Sequence, residues 1–141
     1  MIAPDLAAEG VWIIVYDPDC GFCRWSLARV LTLDRERRLR PVALGTAEAD
    51  QLLADIAPVV RAASWHLVSP DGRRESAGAA APPLLRLLSG GRVPAVILSR
   101  APKLTERAYR WVADHRSIFS AAIPACAKRH ATTRIERRTR N

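Results

Sequence analysis

The chain has 141 residues, 49% of them apolar and 26% charged, a balance that provides for one hydrophobic core and excludes wholesale disorder. No apolar run approaches the roughly 18 residues that a membrane-spanning helix needs. The formal charge of +8 is uneven: residues 1–99 hold 11 basic and 11 acidic side chains, whereas residues 100–141 hold 11 and 3. Residues 119–141 therefore read as a solvated basic tail. Residues 1–10 carry acids and no basic start, so they read as a short lead and not as a secretory signal. The expected compartment is the cytoplasm, where paired cysteines more often serve redox or metal chemistry than structural cross-linking.

Residues 11–118 form the expected domain. Val11–Tyr16 is a continuous apolar run suited to a strand buried on both faces. It ends at Asp17-Pro18-Asp19, a turn cluster, with Asp19 the expected N-cap of the next element. That element, Cys20–Asp34, places Cys23, Leu27, Val30, Leu31 and Asp34 at helical spacing. Arg40–Leu44 reads as a short strand, with Pro41 at its start or on a sheet edge. Thr46 caps a second expected helix ending at Ile56. Trp65–Ser69 and Arg73–Ala77 flank the turn residues Pro70-Asp71-Gly72, which predicts a hairpin. Pro82–Ser89 reads as a helix ended by Gly90 and Gly91. Val93–Leu98 has a strand's composition, but Pro94 and the lack of a partner favour a helical turn or packed coil. Leu104, Ala108, Trp111, Val112 and His115 predict a last helix over 103–115.

The order is thus β-α-β-α-β-β-α, with a Cys-x-x-Cys where the first strand meets the first helix. The expected class is α/β and thioredoxin-like, with a central mixed sheet of about four strands and helices on both faces.

Residues i and i+3 in the first helical turn share a face, so Cys20 and Cys23 can join and separate without large backbone motion. The unpaired amides and the positive end of the helix favour a thiolate at Cys20. Cys20 is the expected nucleophile, and Cys23, one turn in, the resolving thiol. Gly21 is expected to keep access open, and Phe22 to offer an apolar contact to a substrate. Asp17 and Asp19 oppose the thiolate, which predicts a moderately activated, reducing dithiol. Asp17 is also a candidate proton acceptor for Cys23, against the plainer role of a turn cap. Arg24 could support the thiolate or be merely solvated, and Trp25 reads as a half-buried aromatic. His66 reads as a strand-face residue.

Tyr16-Asp17-Pro18-Asp19-Cys20-Gly21-Phe22-Cys23 resembles the Asp-x-x-Cys-x-x-Cys signature of the DCC family of predicted thiol-disulfide oxidoreductases. Trp65 leading into Asp71-Gly72, the small residues Gly78 and Ala80, and the run from Tyr109 to Arg116 resemble its later motifs in order. The resemblance spans about 12–117. It implies a thioredoxin-like fold and disulfide oxidoreductase activity, with Asp17, Cys20 and Cys23 as the matching site positions. Tyr109 and Arg116 are expected to anchor the last helix, Arg116 by reaching Asp17. Pro18 replaces the glycine usual after that aspartate, and no proline stands at Ala63-Ser64, where thioredoxins proper carry one.

The expected function is reduction or exchange of disulfides in a protein or small thiol substrate, with no bound cofactor and a separate electron donor. Nucleic acid and membrane are not expected partners. The alternative is a zinc-binding or interaction module without redox turnover, in which Cys126 and His130, spaced Cys-x3-His, join Cys20 and Cys23 around a metal. No nucleotide-binding or hydrolase motif occurs.

Overall fold

The structure is a computed structural model that describes residues 10–140. The expected lead, apart from Gly10, lies outside the described residues.

Four strands, β1 (Trp12–Tyr16), β2 (Leu39–Ala43), β3 (His66–Val68) and β4 (Arg74–Ser76), form one sheet in the order β2-β1-β3-β4. β1 runs parallel to β2 and antiparallel to β3, which pairs antiparallel with β4. β1 is central, as its unbroken apolar run requires. Pro41 sits opposite Ile14 on the edge strand β2, where its missing N–H leaves no ladder bond unmade.

The pleat of β1 divides the core. Ile14 faces a cluster with Leu39 and Leu67, covered by α1 (Gly21–Leu33) through Leu27 and Leu31 and by α4 (Ala81–Leu87) through Leu84 and Leu87. Ile13 and Val15 face the opposite cluster, with Val42, Val68, and Ala49 of α2 (Ala47–Leu52). Helices thus lie on both faces, and the fold is thioredoxin-like. Thr46 caps α2 as expected, its hydroxyl accepting from the Ala49 N–H at 3.3 Å.

Several elements differ from expectation. α2 stops at Leu52, and Pro58 opens a separate short helix, α3 (Pro58–Ala63), in a stretch that carries no clear apolar periodicity. Residues 92–100 form a full helix, α5 (Arg92–Arg100), which extends the helical turn that Pro94 and the lack of a strand partner favoured. Only Ala95 of it is buried, while Val93, Val96 and Ile97 face outward. Pro94 fits because it lies in the first turn, where its N–H has no helical partner to lose. α6 (Pro102–Asp114) matches the expected last helix, but it is not last. A turn of 3-10 helix at Ala77–Ala80 lies directly under it: a Cβ on Gly78 would stand 2.7 Å from the Glu106 Cα. The Gly78 N–H donates to Glu106 Oε2 at 2.9 Å, so the small residue permits the crossing and the amide fastens it.

The largest correction concerns the tail. Residues 116–140 fold into α7 (Arg116–Ala122) and α8 (Ala125–Arg140), and α8 packs along α1 and β2. Ala131 and Ile135 are buried, and Ile135 belongs to the same cluster as Ile14 and Leu31. Arg138 is tied to buried Asp34, with Nη1 3.3 Å from Oδ2. Its Nη2 donates to the Leu31 and Asp34 carbonyls at 3.0 and 3.2 Å, so it serves as a C-cap of α1. A sparse apolar stripe, carried on a mostly basic helix, escapes a charge-based reading but suffices once a waiting groove receives it.

Candidate active site

The end of β1 turns through Asp17-Pro18-Asp19 into α1. Asp17 Oδ1 accepts the Asp19 N–H at 2.9 Å, which is the turn-capping role. Asp19 is exposed and is not the N-cap. Cys20 takes that place with extended backbone (φ −89°, ψ 109°), and its Sγ accepts the Cys23 N–H at 3.2 Å. The register explains the change, since an N-cap acceptor must face the third amide of the helix, and that amide belongs to Cys23. Cys20 and Cys23 are joined as a disulfide with Cα atoms 5.1 Å apart, both half-buried. The sulfur of Cys20 thereby sits at the amide-rich helix end that stabilises a thiolate after reduction.

Gly21 does not hold the site open. It is buried, and a Cβ there would stand 2.7 Å from Ser120 Oγ and 3.0 Å from Lys128 Cε. α7 and α8 thus lean over the first turn of α1 and place a hydroxyl and the stem of a cationic side chain beside the dithiol. Neither residue stood out in the sequence, because both lie in the stretch read as a tail. The signal was Gly21 itself, a glycine in a helical first turn that no left-handed backbone demands.

Phe22 extends the site sideways. Its ring lies 5.3 Å from Phe119, which lies 6.0 Å from Trp111, whose ring stacks on His115 at 4.5 Å. Trp111 is 57% exposed, so an aromatic surface spreads from the disulfide across α6 and α7. Arg24 Nη1 donates to the Pro18 carbonyl and braces the turn. Trp25 is half-buried, with Arg29 over its ring at 5.2 Å.

Behind the disulfide lies a cavity of about 290 Å³, lined by Cys23 and Asp17 together with Ser64, Trp65, Tyr109 and Arg116 among mostly apolar neighbours. Burial pushes the Tyr109 phenol up from its usual pKa, against a Trp65 backbone hydrogen bond and the Arg116 charge, which pull it down. Burial likewise raises Tyr16, partly offset by Arg24. Both phenols stay neutral. Arg116 shares the cavity with Asp17, but the two form no ion pair among the described residues, which corrects that expectation: Asp17 is engaged by the turn amide, and the Arg116 charge acts on Tyr109. His66 is fully buried, bonded at Nδ1 to Ser76 Oγ (2.6 Å) and at Nε2 to the Arg61 carbonyl (3.1 Å), away from the dithiol chemistry.

Cys126 is free and exposed at the start of α8. Among the described residues no three His, Cys, Asp or Glu side chains gather as a metal would require, so the four residues weighed as a zinc set do not come together. No helix among the described residues is long and apolar enough to cross a membrane.

No curated protein and no solved structure matches the chain. The model of one family, the DCC1-like thiol-disulfide oxidoreductases, matches residues 14–121, a stretch that begins within β1, takes in the rest of the sheet, the dithiol and the aromatic surface, and ends within α7. With that match covering most of the chain, and with a Cys-x-x-Cys pair closed at the mouth of α1, the protein belongs to the DCC1-like thiol-disulfide oxidoreductase family.

Proposed function

We propose that the protein reduces or exchanges disulfides in other proteins through Cys20 and Cys23. The observation that carries this reading is the half-exposed disulfide whose first sulfur occupies the N-cap of α1. In the reduced form, the Cys20 thiolate attacks one sulfur of a substrate disulfide. A mixed disulfide forms, and the second substrate sulfur leaves as a thiolate that takes up a proton. Cys23 then gives its proton to a base and attacks Cys20 Sγ. The remaining substrate sulfur is expelled and the internal disulfide closes. Two electrons have passed to the substrate, and a separate dithiol donor must return them.

Asp17 is the base assigned to Cys23. It lines the same cavity as Cys23, and a carboxylate there is a proton acceptor within the site. Phe22, with Phe119 and Trp111, provides the apolar ground on which a substrate polypeptide rests beside the sulfurs.

A turbidity assay of disulfide reduction in a two-chain protein substrate, with a recycling dithiol, tests the proposal. Wild type is expected to turn over and Cys20→Ser to be inactive. Cys23→Ser should accumulate a mixed disulfide visible by mass spectrometry without reductant. Turnover surviving in Cys20→Ser would overturn the reading.

A further inference from the structure

Packing α8 onto α1 creates a second concavity, about 640 Å³, on the side of α1 away from the cavity behind the disulfide. Its walls carry Arg29 from α1, Arg37 from the connection to β2, and His130, Arg134, Arg137 and Arg138 from α8, and its lining includes no carboxylate-bearing residue. Outside the groove some arginines are matched with acids, Arg40 with Glu48, Arg61 with Asp50, Arg74 with Asp55 and Arg110 with Glu106, while others, Arg92, Arg100 and Arg107 among them, have no ion-pair partner among the described residues, so it is the gathering of arginines in one concavity that sets the groove apart. Inside the groove only Arg138 is matched, and its partner Asp34 together with two backbone carbonyls uses it structurally. Arg37, Arg134 and Arg137 have no ion-pair partner among the described residues and are exposed.

Two further facts show that these charges converge. Arg37 holds a left-handed backbone, φ 54°, which a glycine or asparagine would adopt at less cost, and this conformation turns the α1–β2 connection at the groove. The charges of Arg37 and Arg134 also reach Arg138, pushing its pKa down after the larger effect of burial and against the raising effect of Asp34. Like charges brought together from three segments in a concave, partly desolvated place create a focused positive field. Guanidinium forks bind phosphate oxygens in pairs, and several forks call for several phosphates.

We propose that the groove between α1 and α8 is a binding site for a small oligophosphate anion, one carrying three or more linked phosphates. The volume lies in the range of small-molecule sites, and the concavity fits a compact ligand, not a flat bilayer. Arg29 already covers the Trp25 ring, so recognition rests on the phosphates and not on a stacked base. Inorganic tripolyphosphate and a nucleoside triphosphate share the required chemistry, and both should bind.

Calorimetric titration of the full chain with sodium tripolyphosphate tests this, with sulfate at matched ionic strength as the reference. Saturable binding is expected, weakening as salt rises. The double variant Arg134→Gln/Arg137→Gln should bind at least about tenfold more weakly with an unchanged circular dichroism spectrum, while Arg73→Gln/Arg110→Gln, equal in charge loss and outside the groove, should stay within about twofold. Affinity for a nucleoside triphosphate close to that for tripolyphosphate supports phosphate recognition. Three results would overturn the proposal: no binding of tripolyphosphate by wild type at millimolar concentration, equal weakening in both double variants, or an oligonucleotide that binds more tightly per phosphate than tripolyphosphate does.

Discussion

Ile135→Ala is the sharpest test of the C-terminal helix as part of the core. The residue is 3% exposed and packs in the cluster that holds Ile14, Leu27, Leu31 and Leu39. The substitution removes three carbon groups, worth about 0.8 kcal/mol each in transfer free energy, or about 2.4 kcal/mol together. α8 is held on both sides of this position by Ala131 and by the Arg138–Asp34 tie, so the site collapses only in part and a cavity term adds about another 1 kcal/mol. The expected loss is about 3–4 kcal/mol, which in a domain of this size lowers the melting midpoint by roughly 10 °C. Urea and thermal unfolding followed by circular dichroism measure it, with Val93→Ala, at a site 70% exposed, as the control expected to change little. A loss below about 0.5 kcal/mol, the range of an ordinary surface substitution, would refute the packing argument and return residues 125–140 to the solvent.

Three other outcomes follow from the same geometry. Lys128→Met should shift the pH profile of Cys20 alkylation by iodoacetamide upward, because a positive charge over the first turn of α1 is lost. The Lys128 stem lies against Gly21, next in the chain to Cys20, and a charge pair in water contributes at most about 1 kcal/mol, so the thiolate fraction should fall by up to about fivefold, and Lys128→Arg should restore it. An unchanged profile would show that the ammonium does not reach the sulfur. Asp17→Asn should slow resolution of the mixed disulfide about tenfold or more in single-turnover kinetics while leaving alkylation of Cys20 nearly as fast, and equal slowing of both steps would refute a role specific to Cys23. His66 is buried, which lowers its pKa below the ordinary 6.5. The unfolded chain therefore takes up a proton before the native protein does, so this contribution to stability is intact above about pH 6.5 and lost as the pH falls towards the native value. His66→Gln should flatten the stability profile over that interval, and a slope unaltered by the substitution would show that another group is responsible.

Much of the site was legible because its signals are local. A buried strand, a turn of Asp and Pro, and two cysteines one helical turn apart need only neighbouring residues to be read. The parallel β1–β2 pair and the β3–β4 hairpin followed from the alternation of strands and helices, since parallel strands require a crossover and a short turn joins antiparallel ones, whereas the β1–β3 pairing that completes the sheet order was decided by the tertiary fold. The fine geometry was less accessible. Asp19 and Cys20 both stood near the helix start, and the choice of N-cap depended on which acceptor met the Cys23 amide.

By itself, then, the sequence determined the strand that carries the dithiol, the spacing that lets its sulfurs meet, and the family whose motifs it matches. Tertiary structure alone decided what surrounds them. Helical spacing places Ala131 and Ile135 on one face of a strongly basic segment, but only a complementary groove on α1 and β2 turns two small apolar contacts into a docked helix. Once docked, that helix brings Lys128 over Gly21 and draws arginines from three segments around one groove. These juxtapositions join residues about a hundred positions apart, and such encounters are set by how the apolar surfaces fit together, which no local pattern records.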